Sequence, residues 1–470
     1  MKLLLINPPF EQTFGSIMPK KLEEGLDFLP PLGLLYVAAS VEKTGRHLVE
    51  IIDAQVDKLD AKMLKEEITK RRPDAIGVTA MTFTLLDVIQ TIKMAKDVDP
   101  KIKIILSGPH VIIYPEETMT IKEVDFLVLG EGEKTINLLL DNINKPYELA
   151  KIKGLFFRRG QNIINTGPAD FIEDLNELPF PARHLAPYKK YFSVVSARRP
   201  VTTMFSSRGC PYQCLFCDRP QVGKRFRARS AKNVVDEMQL CQNMGIKEIF
   251  IYDDTFAVDR QRVMEICSEI IKRDIKIAWD IRTRVNTVDE EMLSAMKTAG
   301  CQRIHYGVEA GTQKILNVLR KGITLEQALI ALKLTKKIGI ESAAYFMIGS
   351  PSETKEDILQ TIKFMKKLDP DYAQIAITTP FPATDLYRIA QEQGVINGDP
   401  WREFAKNPVQ SFIPPIWEKE LSRSQLSALL RKAYRSFYMR PSFIIKKLVE
   451  VRSLHELWQK SRAALRMLGI

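Results

Sequence analysis

Apolar and polar positions alternate in blocks along the first 148 residues of the chain. Apolar runs of four or five residues predict buried strands at 3–7, 49–53, 75–79, 103–107 and 126–129. Between them, apolar residues recur every three or four positions, which predicts helices at 34–44, 61–70, 85–97, 115–120 and 133–142. Strands that alternate with helices in this way indicate an α/β domain with a doubly wound parallel sheet over residues 1–148.

The same alternation returns in the second half of the chain. Six apolar runs predict strands at 201–205, 247–252, 276–282, 303–308, 342–348 and 372–377, and each is followed by a polar loop. Six consecutive βα units predict a partial (β/α)6 barrel over residues 196–400, with functional side chains on the loops after the strands. Residues 149–195 carry two short β-like runs and the proline-rich segment 175–181. Because proline disfavours helix, this stretch predicts a linker.

Residues 401–470 predict a basic, mostly helical C-terminal region. Eleven Lys and Arg and two Glu fall within 421–470, so most of the net charge of +12 belongs to this tail. Leu426, Leu429, Ala433 and Phe437 recur at helical spacing with cations between them. Such a helix suits an anionic membrane surface, or a packed region that covers the barrel mouth and leaves its basic face to solvent. A nucleic-acid partner is not expected, since a short tail is thin support for one.

Composition and cysteine use indicate a cytoplasmic protein. Apolar residues make up 45% and charged residues 27% of the chain, as in ordinary globular proteins. No apolar run approaches the ~18 residues of a membrane span. The apolar core at 3–6 is short and ends at Asn-Pro-Pro, so it predicts a buried first strand instead of an export signal. Without an export signal, six irregularly spaced cysteines indicate reduced thiols.

Metal-binding chemistry is concentrated in the loop after the first strand of the second unit. Cys210, Cys214 and Cys217 stand there in the spacing C-x3-C-x2-C, and the next cysteine, Cys241, lies in a predicted helix. Three thiolates can hold three irons of a [4Fe–4S] cluster, whereas a fully protein-bound cluster or a structural zinc needs four ligands. Core packing is the alternative, but three cysteines within eight positions of a polar loop do not favour it. The loop therefore predicts a cluster with one iron open to a ligand that is not protein.

This motif resembles that of the radical S-adenosylmethionine (SAM) enzymes, in which the amino and carboxylate groups of SAM bind the fourth iron. The resemblance extends to polar residues at later strand ends and implies contacts to the SAM amine, ribose and adenosine. The SAM-binding set so implied is Phe216, Asp253, Asp254, Arg282, Glu309, Gly349 and Glu353. Arg282 is included as a cation that suits the SAM carboxylate, with Arg284, Arg320 and Lys321 as further candidates. For Asp253, Asp254 and Glu309 the alternative is a helix cap, and for the four cations it is a solvated surface charge.

The strand ends of the first unit carry small and polar residues as well. Ligands of doubly wound sheets bind at these ends, and glycine allows close approach of the backbone. No G-x-G-x-x-G follows the first strand, which argues against a nicotinamide or flavin cofactor. Asn-Pro-Pro at 7–9, Pro-Pro-Leu-Gly at 30–33, Ser-Gly-Pro-His at 107–110 and Gly-Glu-Gly-Glu at 130–133 resemble the Rossmann-like cobalamin-binding domain of class B radical SAM enzymes. The corrinoid site so implied consists of Asn7, Pro8, Thr79, Thr82, Ser107, Gly108, His110, Gly130, Glu131 and Gly132.

The class B resemblance covers nearly the whole chain, with one difference from cobalamin domains at large. The Asp-x-His-x-x-Gly motif that supplies a lower axial ligand is absent, although His110 lies in the corresponding loop. Class B enzymes commonly lack that motif too. They include cobalamin-dependent methyltransferases, the anaerobic magnesium-protoporphyrin ester cyclase and hopanoid methylases.

The leading hypothesis is a cobalamin-dependent radical SAM methyltransferase. The resemblance implies that the reduced cluster cleaves SAM to a 5′-deoxyadenosyl radical, that this radical attacks an unactivated carbon, and that methylcobalamin supplies the methyl group. The substrate expected is a hydrophobic small molecule such as a lipid or pigment. The electron donor expected is a flavodoxin or ferredoxin, and the setting is anaerobic, in the cytoplasm or at the membrane surface. No catalytic residue is assigned.

Three alternatives stay open at this point. A non-methylating cyclisation or rearrangement needs the same residues. A methylthiotransferase acting on tRNA is disfavoured, because no cysteine precedes Cys210 to hold a second cluster. A corrinoid or iron–sulfur carrier or sensor, which is not an enzyme, is disfavoured because an electron-transfer cluster is expected to have four protein ligands. Cys241, Cys267 and Cys301 are predicted to be structural.

Overall fold

The first unit is built on a seven-stranded sheet. The computed structural model describes residues 1–12, 27–196, 198–218 and 223–449, with side chains through residue 445. The strands of the sheet are β1 (Lys2–Asn7), β2 (Leu48–Asp53), β3 (Ala75–Thr79), β4 (Lys103–Ser107), β5 (Phe126–Val128), β6 (Leu155–Arg159) and β7 (Asn162–Asn165). They lie in the order β2-β1-β3-β4-β5-β6-β7, and the first five are parallel. The predicted doubly wound sheet is confirmed.

Helices follow the strands of this unit much as the sequence predicts. They are α1 (Leu32–Thr44), α2 (Ala61–Arg71), α3 (Leu85–Val98), α4 (Pro109–Ile113), α5 (Pro115–Met119), α6 (Gly132–Asn142) and α7 (Pro146–Leu149). Caps set their ends: Asp60 accepts the Met63 N–H at 2.8 Å and begins α2. The short helices α4 and α7 were not predicted. Each begins with a proline, which suits the first position of a helix.

The predicted linker over 149–195 begins with two further strands of the first sheet. β6 pairs antiparallel with β5, and β7 pairs antiparallel with β6, so the sheet continues to Asn165. Their β-like pattern was recognised, but a short run does not show which sheet it joins. The connection is therefore shorter than predicted. It contains single helical turns at Leu175–Glu177, Arg183–Leu185 and Tyr188–Lys190.

The second unit is a six-stranded parallel sheet. Its part of the chain contains β8 (Val201–Met204), β9 (Ser207–Arg208), β10 (Arg227–Ala228), β11 (Glu248–Ile251), β12 (Ala278–Thr283), β13 (Cys301–Glu309), β14 (Glu341–Ile348) and β15 (Tyr372–Ile377). The order is β15-β14-β13-β12-β11-β8, while β9 and β10 form an antiparallel ribbon beside the cysteine loop. All six strands of the sheet lie where the sequence predicts them, which confirms the partial barrel.

Side-chain caps begin the helices that surround the barrel. The helices are α8 (Ala231–Asn243), α9 (Arg260–Lys272), α10 (Glu290–Thr298), α11 (Gln313–Val318), α12 (Leu325–Ile338), α13 (Lys355–Leu368), α14 (Asp385–Glu392), α15 (Pro400–Lys406), α16 (Arg423–Tyr438) and α17 (Pro441–Val449). A Ser, Thr or Asp side chain accepts a backbone N–H at the start of each from α8 to α16. Each helix therefore starts at a defined residue after its loop.

Buried cysteines fill the core between these helices and the sheet. Cys241, Cys267 and Cys301 are at most 1% exposed, and the six cysteines form no disulfide within the described residues. Burial raises the pKa of Cys241 to about 11 and that of Cys267 to about 12. These thiols are thus protonated and unreactive at neutral pH, in keeping with a structural role.

Helix α16 packs along the edge strand of the barrel. Leu426 and Phe437 on its apolar face are fully buried in the barrel core. The hydroxyl groups of Tyr434 and Tyr438 bond to backbone groups of β15. Its apolar face thus lies against protein, as the packed alternative predicts, and is not available to a membrane. The end of the basic tail, residues 450–470, lies outside the described residues.

An apolar cluster joins the two units and the C-terminal region. It contains Leu85 and Tyr114 of the first unit, Leu215 of the cysteine loop, and Leu386 and Trp401 beyond the barrel. The edge of the first sheet that carries the predicted corrinoid residues is therefore packed toward the cysteine loop. Among the helices of the described residues, none combines the length and the apolar character needed to cross a membrane.

Candidate active site

The cysteine loop is anchored at several points. Gly209 has a φ of 80°, and a Cβ there would overlap the carbonyl oxygen of Arg225. Only glycine fits this position. The Leu215 N–H donates to the Leu319 carbonyl at 2.9 Å, and the Leu215 carbonyl accepts the Leu386 N–H at 3.0 Å. The loop is therefore fixed between the end of α11 and the start of α14.

The donor set of this loop fits a [4Fe–4S] cluster. Cys210 is 6% exposed, Cys214 and Cys217 are half-buried, and the Cys217 N–H donates to the Cys214 carbonyl at 3.2 Å. Within the described ranges, no three His, Cys, Asp or Glu side chains converge on a point that one metal ion could occupy. A cluster needs no such point, because each cysteine binds a different iron. Three thiols that do not converge on one point thus fit a cluster and not a zinc ion, and three protein ligands leave one iron of a [4Fe–4S] cluster open.

Two cations lie against the cysteine loop: Arg284, which follows strand β12, and Lys321, which follows helix α11. Nη1 of Arg284 is 3.5 Å from Sγ of Cys214, and its guanidinium carbon lies 3.9 Å from the ring centroid of Tyr212. Nζ of Lys321 lies 5.9 Å from the ring centroid of Phe216. Positive charge at this point complements thiolates and also suits a carboxylate ligand. The loop therefore has ligands that fit a cluster and two cations beside them, and contact of these cations with the SAM carboxylate stays a prediction.

Arg282 and Arg320, the other cations considered for SAM, contact different parts of the barrel. Arg282 stacks on Tyr252 on the inner wall of the barrel, with 4.0 Å between guanidinium carbon and ring centroid. Arg320 is exposed and pairs with Asp385 at 3.1 Å. The structure brings Arg284 and Lys321 to the cysteine loop, and a SAM contact of Arg282 stays a prediction.

Glu309 forms a buried ion pair at the end of β13. Its carboxylate accepts a hydrogen bond from Lys321 Nζ at 2.7 Å, and both side chains are less than 10% exposed. A Cβ on Gly307 would lie 2.5 Å from Oε1 of Glu309, so the pair has room because this residue is glycine. Glu309 itself has a φ of 73°, which is uncommon for a non-glycine residue and marks local strain. Its contact with the SAM ribose stays a prediction.

Asp253 holds the two residues that introduce the cysteine motif. Its carboxylate accepts the N–H and hydroxyl groups of Ser206 and Ser207 at 2.5–3.0 Å, and Asp253 is fully buried. The neighbouring Asp254 is exposed, and Thr255 Oγ1 lies 3.5 Å from Sγ of Cys210. Asp253 is thus already saturated as an acceptor, so the structure supports a positioning task for it. A bond from the SAM amine to Asp253 or Asp254 stays a prediction.

Gly349 and Glu353 close the turn after β14. Gly349 has a φ of 76°, and a Cβ there would lie 2.8 Å from a methyl carbon of Leu426. The space beside Gly349 is thus taken by helix α16, and close approach of adenosine stays a prediction. Glu353 is fully buried and accepts the Ser350 N–H at 2.8 Å. Burial raises the pKa of Glu353 to about 7, against the hydrogen bonds from the Ser350 and Gly349 N–H groups, which lower it.

The predicted corrinoid residues of the first strand take part in a polar network. Asn7 Nδ2 donates to Asp53 at 2.8 Å, and the Pro8 carbonyl accepts from Gln55 at 3.0 Å. The Tyr191 hydroxyl donates to the other oxygen of Asp53 at 2.8 Å. Burial raises the pKa of Asp53, although these bonds to Tyr191 and Asn7 oppose the shift. The network fixes the loops after β1 and β2 against the connection between the units.

His110 presents an unpartnered nitrogen at the same edge of the sheet. His110 is fully buried, and its Nδ1 lies 3.0 Å from the hydroxyl of Thr82. In the described part of the chain, neither His110 Nε2 nor the Tyr114 hydroxyl has a hydrogen-bond partner. Burial lowers the pKa of His110 to about 4, so the imidazole is neutral, the form that binds metals. Because buried polar atoms are normally bonded, these two fit an edge that receives a cofactor.

Small residues bring the neighbouring loops into close contact. Gly108 has a φ of 111°, and a Cβ there would lie 2.7 Å from the Ala80 carbonyl oxygen and 3.1 Å from a methyl carbon of Thr79. The Ser107 hydroxyl donates to the Val128 carbonyl at 2.9 Å. The loops after β3 and β4 therefore form one surface made of backbone and small side chains. Such a surface fits the broad, nearly neutral face of a corrinoid.

Glu131, between Gly130 and Gly132 in the loop after β5, joins the two units through buried ion pairs. It pairs with Arg208 at 2.8 Å and with Arg227 at 2.7 Å, and it also accepts the Ile172 N–H at 2.6 Å. Burial alone would raise the pKa of Glu131, but the bonds from Arg227 and Arg208 hold it below its usual value. Both carboxylate oxygens are thus engaged. A direct contact of Glu131 with a corrinoid stays a prediction, whereas its interdomain pairing is observed.

Arg208 connects this loop directly to the cysteine motif. It stands two residues before Cys210 and also pairs with Glu133 at 2.5 Å. Arg208, Arg227 and Glu133 were not among the predicted site residues. The sequence shows Glu133 within the Gly-Glu-Gly-Glu motif, but it carries no signal that pairs this motif with arginines in the other unit. The predicted corrinoid loop and the cluster loop are therefore held in a fixed relation.

Further buried arginines hold the chain between β8 and the cysteines. Arg183, Arg229 and Arg262 donate to the carbonyl groups of residues 203, 205 and 206 at 2.6–2.7 Å. Glu237 lies between two of them, at 2.6 Å from Arg183 and 2.5 Å from Arg229. The backbone that leads into the cluster loop is thus bonded at almost every residue, which favours one fixed arrangement of the thiols.

Comparisons with known proteins agree with both halves of this site. The radical SAM superfamily profile matches residues 204–365, and the B12-binding domain profile matches residues 25–140. An uncharacterized methyltransferase of Pyrococcus horikoshii is 37% identical over 456 residues, which cover 96% of this chain and 95% of the relative. The anaerobic magnesium-protoporphyrin IX monomethyl ester cyclase of Rubrivivax gelatinosus is 30% identical over 453 residues, covering 94% and 78%.

A solved structure has the same fold along almost the whole chain. The cobalamin-dependent SAM radical enzyme OxsB, solved with aqua-cobalamin and SAM bound, superposes with a TM-score of 0.74 at 19% identity. The match covers 98% of this chain and 70% of OxsB. Fold, cysteine loop and the two matched domains together define a radical SAM enzyme with a B12-binding domain. The chain belongs to the class B radical SAM enzymes, and its cofactors are a [4Fe–4S] cluster, SAM and cobalamin.

Proposed function

We propose that this enzyme methylates an unactivated carbon of a hydrophobic or lipid-like small molecule. The observation that carries the proposal is the buried ion pair between Glu131 and Arg208, which ties the B12-binding domain to the cluster loop. A catalyst that uses two cofactors in one reaction needs them at a fixed separation, because small displacements of reacting groups cost rate. The relative from Pyrococcus horikoshii, named a methyltransferase, supports the same reaction class.

The residues divide into ligands, ligand partners and positioning residues. Cys210, Cys214 and Cys217 are proposed to hold the cluster, while Arg284 and Lys321 pair with the carboxylate of SAM. Arg208, Asp253 and the three arginines that bind the preceding backbone position the cysteine loop. When bound, the cofactors supply one-electron cleavage of SAM, hydrogen abstraction and a methyl group.

Residues at the edge of the first sheet are proposed to receive the corrinoid. His110 and Tyr114 offer unpartnered polar atoms there, and Gly108 and Ser107 shape the adjoining surface. Burial keeps His110 neutral, since its pKa is lowered to about 4. His110 would thus meet the cofactor as an uncharged donor or acceptor, and no proton has to be removed from it first.

The decisive experiment measures products under anaerobic conditions. Protein reconstituted with iron, sulfide and cobalamin should cleave SAM to 5′-deoxyadenosine when a strong reductant is added. Lipid and pigment extracts from cells with and without the gene should then differ by a compound 14 mass units heavier. Protein that holds no iron, or that never cleaves SAM, would contradict the proposal.

Cyclisation or rearrangement without methylation is the second candidate. The cyclase of Rubrivivax gelatinosus, at 30% identity, supports it. The same extracts decide between the two: a product that gains no methyl group, formed together with 5′-deoxyadenosine, favours the second candidate.

Two partners are part of the proposal. The electron that starts the reaction would come from a flavodoxin or ferredoxin, and the basic tail would contact an anionic membrane surface. Because α16 uses its apolar face for packing, such contact would rest on the residues from Arg440 onward. A chain that ends at Met439 and binds anionic liposomes as well as the intact protein would contradict the membrane contact.

A further inference from the structure

The inner wall of the barrel carries polar side chains that the cluster loop does not use. Residues of β11 to β14 alternate between two faces, and Ile251, Ile281 and Tyr306 lie in the core beneath the helices. Their neighbours on the other face form a row across the wall: Tyr252, Arg282, His305 and Tyr345. In the register of the sheet, Arg282 lies directly beside His305. The four side chains are therefore neighbours inside the barrel.

Arg282 is the exposed cation of this row. Its guanidinium carbon lies 4.0 Å from the ring centroid of Tyr252. No carboxylate in the described part of the chain forms an ion pair with it. Stacking on an aromatic ring holds the guanidinium flat and leaves its edge N–H groups able to bind an oxyanion in a bidentate manner. An arginine in this state has a binding capacity that the protein itself does not use.

His305 and Tyr345 extend the row with a hydrogen-bonded chain. Nδ1 of His305 lies 2.6 Å from the Tyr345 hydroxyl, and Nε2 lies 3.3 Å from Asp280. The carboxylate at Nε2 orients the ring, so that Nδ1 faces the Tyr345 hydroxyl. When His305 donates to the Tyr345 oxygen, the hydroxyl proton of Tyr345 becomes available to an anion beside Arg282. The hydrogen bond between His305 and Tyr345 thus adds a hydroxyl donor beside the guanidinium group of Arg282.

The two nearby carboxylates of the described residues bond to other groups, and neither forms an ion pair with Arg282. Asp27 accepts the Val194 N–H at 2.6 Å. Asp280 lies 3.3 Å from His305 and 3.6 Å from Arg303. The edge N–H groups of Arg282 therefore remain able to bind a ligand.

We propose that Arg282, with Tyr252 and Tyr345, forms a subsite for an anionic oxygen group, a carboxylate or a phosphate, of the substrate. The inference rests on the proposed function, because it places the substrate inside the barrel. It makes the substrate amphiphilic, with an apolar body and one anionic end. It also reassigns Arg282 from the SAM carboxylate to the substrate, and leaves Arg284 and Lys321 for SAM.

Binding of three simple probes tests the subsite without a known substrate. Octanoate, octyl phosphate and octanol are titrated calorimetrically into enzyme reconstituted with cluster, cobalamin and SAM. One of the two anions is expected to bind at least about tenfold more tightly than octanol, and the better anion identifies the group. Arg282→Met should abolish this preference, and Tyr345→Phe should weaken it. Arg260→Met is the matched control, because Arg260 pairs with Asp289 at 2.8 Å outside the barrel.

Each outcome of these titrations either supports the anion subsite or overturns it. Equal binding of the three probes by the unaltered enzyme, or an unchanged preference in Arg282→Met, would overturn the subsite. The change that SAM causes in the electron paramagnetic resonance spectrum of the cluster must persist in Arg282→Met. Its loss would return Arg282 to SAM and overturn the proposal. If the preference is found but no methylated product forms, the proposed function fails while the anion subsite stands.

Discussion

The two strand-end edges that meet at the Glu131–Arg208 pair are built from different groups. At the barrel mouth, charges are paired: Glu309 with Lys321, and Arg208 with Glu131 of the first unit. At the edge of the first sheet, the loops after β3 and β4 hold glycine, hydroxyl groups and the neutral imidazole of His110. Fixed charges suit a small charged ligand such as SAM, because they are already oriented before it binds. A neutral surface with unpartnered polar atoms suits a large cofactor that is held by shape.

The largest expected effect is at the cysteine loop. Replacing Cys210, Cys214 and Cys217 together by Ala should abolish iron binding and SAM cleavage, since the described residues offer no other group of metal ligands. The fold should remain, because the loop is held by Asp253 and by backbone bonds. Iron analysis, the absorbance of the reconstituted protein and circular dichroism measure these outcomes. Cys267→Ala, which alters a buried thiol in the core, is the control and should retain the cluster.

The second prediction concerns the charged side of the comparison. Glu131→Gln leaves Arg208 and Arg227 buried without their shared carboxylate, and should destabilise the protein by about 3–5 kcal/mol. The matched control is Asp170→Asn, which removes the partner of Lys153 in a pair whose side chains are 79% and 64% exposed. That change should cost less than about 1 kcal/mol. Chemical unfolding followed by fluorescence compares the two.

Glu131→Gln should also change the chemistry in a way that stability alone does not. If the pair sets the distance between the two cofactor loops, the variant should still cleave SAM but form less product for each SAM consumed. A variant with lower stability and an unaltered ratio of product to 5′-deoxyadenosine would show that the pair serves folding alone.

The same pair shows where sequence reasoning succeeds and where it stops. The strands of both sheets, the longer helices of the first unit and the cysteine loop follow from local periodicity and spacing, so their positions could be predicted to within a few residues. The partners of Glu131 could not, because Arg208 and Arg227 lie in another domain and no local pattern links them. Glu131 was expected to touch the corrinoid, since its motif lies at a strand end. The row of Tyr252, Arg282 and His305 has a weaker signal in the sequence. Polar residues alternate with apolar ones in β12 and β13, which indicates a second, polar face but not the neighbours on it.

The free energy of unfolding should depend on pH in opposite ways through Glu353 of the barrel and His110 at the edge of the first sheet. The pKa of Glu353 is raised from 4.5 to about 7 by burial, so the folded protein holds this proton more tightly than the unfolded chain. Its contribution is fully present below pH 4.5 and is lost as the pH rises through 7. Glu353→Gln should therefore gain up to about 3 kcal/mol over the unaltered protein between pH 5 and pH 8. Glu356→Gln, at an exposed carboxylate of the same segment, should show no such trend in urea unfolding.

For His110, the contribution to the free energy of unfolding is expected to rise with pH, whereas that of Glu353 falls. Burial lowers its pKa from 6.5 to about 4, so the unfolded chain takes up the proton first. Its contribution is present above pH 6.5 and is lost as the pH falls toward 4, again up to about 3 kcal/mol. His110→Gln should remove this loss, while His184→Gln, at a ring that is 61% exposed, should leave it in place. Parallel pH profiles for Glu353→Gln and His110→Gln would break the comparison between the two edges.

The smallest loss of stability is expected at the edge strand β15 of the barrel, where neutral tyrosine hydroxyl groups, and not charged groups, bond to the backbone. The Tyr434 hydroxyl accepts the Ile375 N–H at 3.2 Å and donates to the Ile375 carbonyl at 3.0 Å. Tyr434→Phe removes both bonds and keeps the packed ring, so it should destabilise the protein by about 1 kcal/mol. Hydrogen exchange of the Ile375 amide should become faster by about tenfold or less. Tyr147→Phe, at a ring that is 71% exposed, should change neither quantity. If the Ile375 amide exchanges at an unaltered rate in Tyr434→Phe, α16 covers the edge strand by apolar packing alone.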